Sequence, residues 1–255
     1  SFLMITMMSI MIPRANVAAK RIQEVLNTQV EIDDPKQPVH PDESVKGLVE
    51  FEHVSLSYPQ AEEKVLNDIS FTARKGETVA FIGSTGSGKS TLMNLIPRLF
   101  DVTSGSVRVD GVDVREMPLK ELRDKLGYVP QKGVLFSGTI DSNLRYGKED
   151  ATQEQIDRAA KIAQAWDFIE EKQDKMRSPI AQGGTNVSGG QKQRLSIARA
   201  IAKDPEIYIF DDSFSALDYK TDVVLRRALK KETKDATTLI VAHRISTILH
   251  ADRII

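Results

Sequence analysis

The stretch Gly83 to Ser90, "GSTGSGKS", constrains this chain more than any other. It follows "ETVAFIG", a short apolar run with the composition of a buried strand, and leads into "STLMNLIPRLF", whose apolar spacing is helical. A strand, a G-x-x-x-x-G-K-[ST] loop and a helix in that order form a phosphate-binding loop. Its glycines let the backbone N–H groups of Thr85 to Lys89 curl around phosphate oxygens; Lys89 supplies a point charge, and Ser90, at the helix N-terminus, can hold Mg²⁺. The loop fixes nucleoside triphosphate binding and leaves kinase, GTPase and ATPase open.

A second stretch narrows the choice. In "IYIFDDSFSALD", Ile207 to Asp218, four residues suited to a strand covered on both faces end on two aspartates. A lone pair of this kind reads as a solvated strand end before a turn. Beside a phosphate loop, Asp211 occupies the place of the carboxylate that holds Mg²⁺ through water, and Asp212 would point toward the attacking water. Gln131 in "GYVPQKGVLF" and His243 in "TTLIVAHRIS" are polar groups just past strand ends. By themselves they read equally well as a turn residue and a surface histidine.

Composition sets the broad class. The chain has 255 residues, 40% of them apolar, enough for a real core. Its 35 basic and 36 acidic side chains leave a net charge of -1, so nucleic acid is not an expected partner. With no cysteine, a disulfide framework and a thiolate metal site are excluded.

The N-terminal segment differs from the rest. "FLMITMMSIMI", residues 2 to 12, is almost wholly apolar, yet a helix of that length covers only about 17 Å of a hydrocarbon layer about 30 Å thick. It reads as the cytoplasmic end of a longer membrane-crossing helix or as a short core helix. Arg14, Lys20 and Arg21 in the helix-like "PRANVAAKRIQEVLN" favour the first, with positive charge on the inner side. The expected organisation is a membrane-helix end and connecting helix over 1–30, a proline-bearing linker over 31–47, and a catalytic domain over 48–255.

"NVSGGQKQRLSIARAIA", from Asn186, adds a serine, two glycines and a helical pattern: a helix N-terminus with bare backbone donors, suited to an anion. With this stretch the chain resembles the nucleotide-binding domain of ATP-binding cassette (ABC) transporters. The phosphate loop, "VSGGQ", "IYIFDD", "SALD" and "VAHR" occur in that family's order, across residues 48 to 255. "RIQEVLN" and "LFSGTIDSNLRYG" resemble the exporter-type subfamily, in which a membrane domain precedes the ATPase. The chain stops at "ADRII", where the family usually continues, as in an excised domain.

The resemblance implies an α/β fold: a P-loop NTPase (RecA-like) core, an antiparallel β subdomain, and an inserted α-helical subdomain over about 132–195. It implies ATP and Mg²⁺ as cofactors. Gly83, Ser84, Thr85, Gly86, Ser87, Gly88, Lys89, Ser90 and Thr91 would bind nucleotide, with Tyr58 stacking on adenine unless it is a core tyrosine. Ser90, Gln131 and Asp211 would hold the metal, and Asp212, His243 and Gln131 would act in catalysis. Ser188, Gly189, Gly190 and Gln191 would contact ATP held by a second nucleotide-binding domain, at the cytoplasmic face of the membrane, with the transmembrane domains of the same transporter as further partners.

This chain departs from the family at Asp212, where a glutamate is usual. The shorter side chain withdraws the carboxylate by roughly 1.5 Å, and positional errors near 1 Å can cost about a hundredfold in rate. "AQGGTN" ahead of the signature, in place of an acidic residue and a glycine, and "DDSF", in place of small residues after the glutamate, depart likewise. These features resemble heterodimeric bacterial multidrug exporters with one impaired ATP site. A homodimeric exporter and a regulatory ATP-binding module are the rival expectations. With no N-K-x-D tetrapeptide, a GTPase is disfavoured.

Overall fold

All five residues of the strand Ile207–Asp211 are buried, as an unbroken apolar run requires of a strand covered on both faces. The computed structural model containing it describes residues 2–59, 61, 63–243 and 248–255. The chain forms two compact units, Ser1–Asp33 and Asp34–Ile255.

The first unit is one helix, α1 (Phe2–Leu26), running through Pro13 with none of its residues buried. Residues 2–12 and the basic stretch after them form one continuous helix, whose 25 residues reach about 37 Å at 1.5 Å each, long and apolar enough to cross a membrane by length and composition.

The second unit begins with a stretch that has no helix or strand but is tied to the domain. The Asp34 carboxylate accepts the Leu119 N–H at 2.7 Å, Val39 N–H donates to Glu116 O at 2.8 Å, and His40 Nδ1 lies 2.7 Å from Glu121 Oε2. The stretch expected to be a linker has no helix or strand, and from residue 34 it belongs to the folded unit.

In chain order the elements are β1 (Val49–Leu56), β2 (Leu66–Ala73), β3 (Thr78–Phe81), α2 (Lys89–Leu95), β4 (Ser104–Val109) and β5 (Val112–Asp113). Next come α3 (Leu119–Asp124), β6 (Leu126–Val129), β7 (Gly138–Thr139), α4 (Ile140–Arg145), α5 (Gln153–Ile162), α6 (Trp166–Glu170) and β8 (Pro179–Ile180). The last are α7 (Gly189–Lys203), β9 (Ile207–Asp211), α8 (Tyr219–Glu232), β10 (Thr237–Val241) and β11 (Arg253–Ile254). Among the described residues one sheet is parallel throughout, in the order β11-β3-β10-β9-β6; another is antiparallel, in the order β2-β1-β4-β5.

Two large apolar cores follow from this arrangement, beside a small cluster of Ala80, Ala242 and Ile248. One joins the antiparallel sheet to the parallel sheet and α2, with Phe51 and Phe71 stacked at 4.5 Å and Phe81 edge-on to Phe71; burying each ring contributes about 1.5–3 kcal/mol. The other packs α4 to α8 around Ile140, Ile156, Leu195 and Phe210. The helical stretch "TQEQIDRAAKIAQAWDFIEE" is two helices, because Gln164 takes a left-handed φ of 56° and its carbonyl accepts from Arg194 at 2.7 Å.

Candidate nucleotide site

The parallel order gathers the chemistry on one edge. The phosphate loop leaves β3, Gln131 follows β6, Asp211 and Asp212 end β9, and His243 follows β10. All five groups stand at the carboxyl ends of strands, where ligands bind in open α/β sheets. Backbone bonds pin these ends together: Asp212 N–H donates to Val241 O at 3.0 Å, and Ala242 N–H to Phe81 O at 3.2 Å. Residues 244–247, the continuation of the histidine motif, lie outside the described residues.

The loop owes its turn to two left-handed glycines, Gly86 and Gly88, with φ of 84° and 88°. Gly88 caps α2 and is tightly enclosed: a Cβ there would stand 2.9 Å from Leu66 Cδ2 and 3.1 Å from Val65 O. The Lys89 ammonium is folded into the loop, 2.9 Å from Gly83 O, 2.7 Å from Ser84 O and 3.1 Å from Ser87 Oγ. Phosphate oxygens entering the loop would compete with these acceptors.

The Ser90 hydroxyl donates to Asp211 Oδ1 at 2.9 Å. Asp211 is 4% exposed, and that burial pushes its pKa up, with the Ser90 bond and the neighbouring cations opposing and Asp212 adding to the rise. A hydroxyl and a carboxylate this close are hard oxygen donors that suit Mg²⁺, which takes a few protein ligands and completes its shell with water and phosphate.

Asp212 stands on strained backbone at φ 46°, and its Oδ2 accepts a long 3.3 Å bond from Gln131 Nε2. Tyr58 is half-buried: its hydroxyl is 3.0 Å from Thr91 Oγ1 and its ring meets Phe100 edge-on at 5.3 Å. The ring therefore packs in the core region while remaining beside the phosphate-loop helix.

The "SGGQ" residues form the N-terminus of α7. Ser188 Oγ accepts the Gln191 N–H at 3.2 Å and Gln191 Oε1 accepts the Ser188 N–H at 3.1 Å, a reciprocal capping box. A Cβ on Gly190 would stand 3.3 Å from Ala216 O, whereas Gly189 faces open space. Hydrogen bonds join Ser90 to Asp211 and Gln131 to Asp212, whereas among the described residues none joins Ser188 to Gln191 with the phosphate loop.

Three supports were not evident from sequence. Arg199, on α7, donates to Val134 O at 2.9 Å and to Asn143 O at 2.8 Å, tying the signature helix to the segment after Gln131; burial lowers its pKa. Tyr128 donates to Asn94 Oδ1 at 2.8 Å, bracing β6 against α2, with burial pushing its pKa up to about 12. The wholly buried Ser213 donates to Val129 O at 2.8 Å. Each resembles an ordinary helix or strand residue in the sequence, because its partner lies at least 30 positions away.

The phosphate loop, the Ser90–Asp211 pair and the parallel sheet define a P-loop NTPase. Residues 66–215 match the family model described as ABC transporter, and the chain belongs to that family, whose nucleotide-binding domains are ATPases. It is 48% identical over 256 residues to an uncharacterised ABC transporter ATP-binding protein of Mycobacterium bovis, covering 99% of this chain and 44% of the relative. It is also 48% identical over 240 residues to the beta-(1→2)glucan export ATP-binding/permease protein NdvA of Rhodopseudomonas palustris, covering 93% and 39%. The chain thus spans less than half the length of these relatives. A solved bacterial Atm1-family ABC exporter with ATP bound superposes with a TM-score of 0.87 at 34% identity, covering 95% of this chain and 42% of that one.

Proposed function

We propose that this chain is the ATP-binding domain of an exporter subunit. It binds Mg-ATP at the cytoplasmic face of the membrane, pairs head-to-tail with a second nucleotide-binding domain, and couples binding and hydrolysis to export. Its own site hydrolyses slowly because of Asp212, and its partner is a different subunit that carries the usual glutamate.

In this reading Gly83 to Thr91 cradle the phosphates, Tyr58 flanks the adenine, and Lys89 carries the charge of the β and γ phosphates. Ser90, Asp211 and Gln131 would hold Mg²⁺, which neutralises phosphate charge when bound. Asp212 orients the attacking water, and His243 holds the γ-phosphate. Ser188, Gly189, Gly190 and Gln191 complete the partner's site, which agrees with their lack of hydrogen bonds to the loop of their own chain. Exposed Val134, Phe136 and Tyr146, just after Gln131, suit docking to transmembrane domains, and α1 suits a membrane-crossing helix.

The observation that carries the proposal is Asp212 itself, a short carboxylate where the family usually has a longer one. Turnover of Mg-ATP by the chain and by Asp212→Glu, with ATP binding measured in parallel and protein concentration varied, tests it. A gain of about tenfold to a hundredfold with a steep concentration dependence is expected. Brisk wild-type turnover that Asp212→Glu does not increase would instead assign a homodimeric exporter domain.

A further inference from the structure

Away from the nucleotide edge, a cavity of about 630 Å³ opens between α8, β10 and the segment 249–251, a size typical of small-molecule sites. Phe214, Val223, Ile240 and Leu249 give it an apolar floor and wall. Leu249 is 67% exposed, so this apolar surface is open to solvent.

Charge gives the cavity its chemical character: its lining includes Arg227, Lys230 and Lys231 and, among the described residues, no acidic residue. The nearby carboxylates are engaged: Asp222 by Arg226 at 2.7 Å, Glu232 by Arg158 at 2.8 Å, and Asp252 by the Thr78 N–H at 2.8 Å.

We propose that this cavity binds a small amphipathic anion, with an aliphatic body on the apolar floor and a carboxylate or phosphate head toward Arg227, Lys230 and Lys231. An uncharged amphiphile would leave the basic rim unpaired, and a bare inorganic anion would leave the apolar wall uncovered. The requirement for both parts separates the proposal from a plain anion site or a plain greasy groove.

The test uses the full chain, kept soluble with an uncharged amphipathic polymer, and octyl phosphate as probe below its micelle concentration. Amine acylation followed by mass spectrometry reads the site directly. Octyl phosphate is expected to slow acylation of Lys230 and Lys231 while leaving Lys20 and Lys36 unchanged. Arg227→Glu, which keeps both lysines readable, is expected to weaken protection about tenfold. Val223→Trp, which fills the cavity from its α8 wall, is expected to abolish it.

Equal protection by octyl trimethylammonium, or by inorganic phosphate at the same concentration, would overturn the proposal. So would protection that follows protein concentration without any probe, which would give the groove to a second copy of the chain. Octanoate and octyl phosphate compared side by side separate a carboxylate head from a phosphate head.

Discussion

Gln131 Nε2 donates to Asp212 Oδ2 across 3.3 Å, linking the end of β6 to the end of β9 on the nucleotide edge. The bond is long and its setting exposed, so it adds little to stability. Gln131→Ala is therefore expected to change the melting temperature by no more than about 2 °C while lowering Mg-ATP turnover severalfold. Calorimetry and a turnover assay on one preparation separate the two effects; a large loss of stability would show that the contact is structural.

Asp211 gives the opposite balance. Burial raises its pKa, so folding favours the protonated carboxyl. That stabilising preference is complete below the unfolded carboxylate range and is lost as pH rises through the raised value. At neutral pH the buried charge works against the fold. Asp211→Asn keeps an acceptor for Ser90 and removes the charge, so a higher melting temperature at pH 7, a flatter pH dependence of stability and loss of Mg-dependent turnover are expected. Thermal melts from pH 4 to 8 check the sign; a lower melting temperature at pH 7 would contradict it.

The parts of the site legible in the sequence were those built from neighbours in the chain. "GSTGSGKS", "VSGGQ" and "IYIFDD" each carry their turn, cap or strand end within a few residues. What the sequence could not show was long-range pairing. Asp34 caps α3 from 85 positions away, so residues that look like a linker fold with the domain. Arg199 reaches Val134 and Asn143 from a helix face that reads as solvated. The break at Gln164 was hidden because α5 and α6 continue one apolar period, and the left-handed residue between them is not a glycine.

Within the phosphate loop the two left-handed glycines are expected to differ. Gly86→Ala meets no atom within 4 Å and costs about 1–2 kcal/mol for its positive φ. Gly88→Ala carries the same strain and also drives a methyl into Leu66 and Val65, displacing α2 and the donors at its N-terminus. Loss of ATP binding is expected for Gly88→Ala, with only moderate weakening for Gly86→Ala. Equilibrium ATP titrations of the two variants decide this, and equal affinities would show that enclosure at Gly88 does not shape the loop.

Ser188 has two roles that mutation can separate. Its hydroxyl caps α7 in a reciprocal box with Gln191, and in the proposed dimer it touches the partner's nucleotide. Ser188→Ala removes the cap at about 1 kcal/mol, whereas Ser188→Asp retains a capping acceptor but places a negative charge where phosphate would approach. If the signature only starts a helix, Ser188→Asp is expected to behave like wild type in every assay. If it completes a second nucleotide site, Ser188→Asp keeps wild-type stability and ATP binding to the chain's own loop but loses ATP-dependent dimerisation. Sedimentation with and without ATP distinguishes the two, because the charge acts only on the nucleotide that crosses the interface.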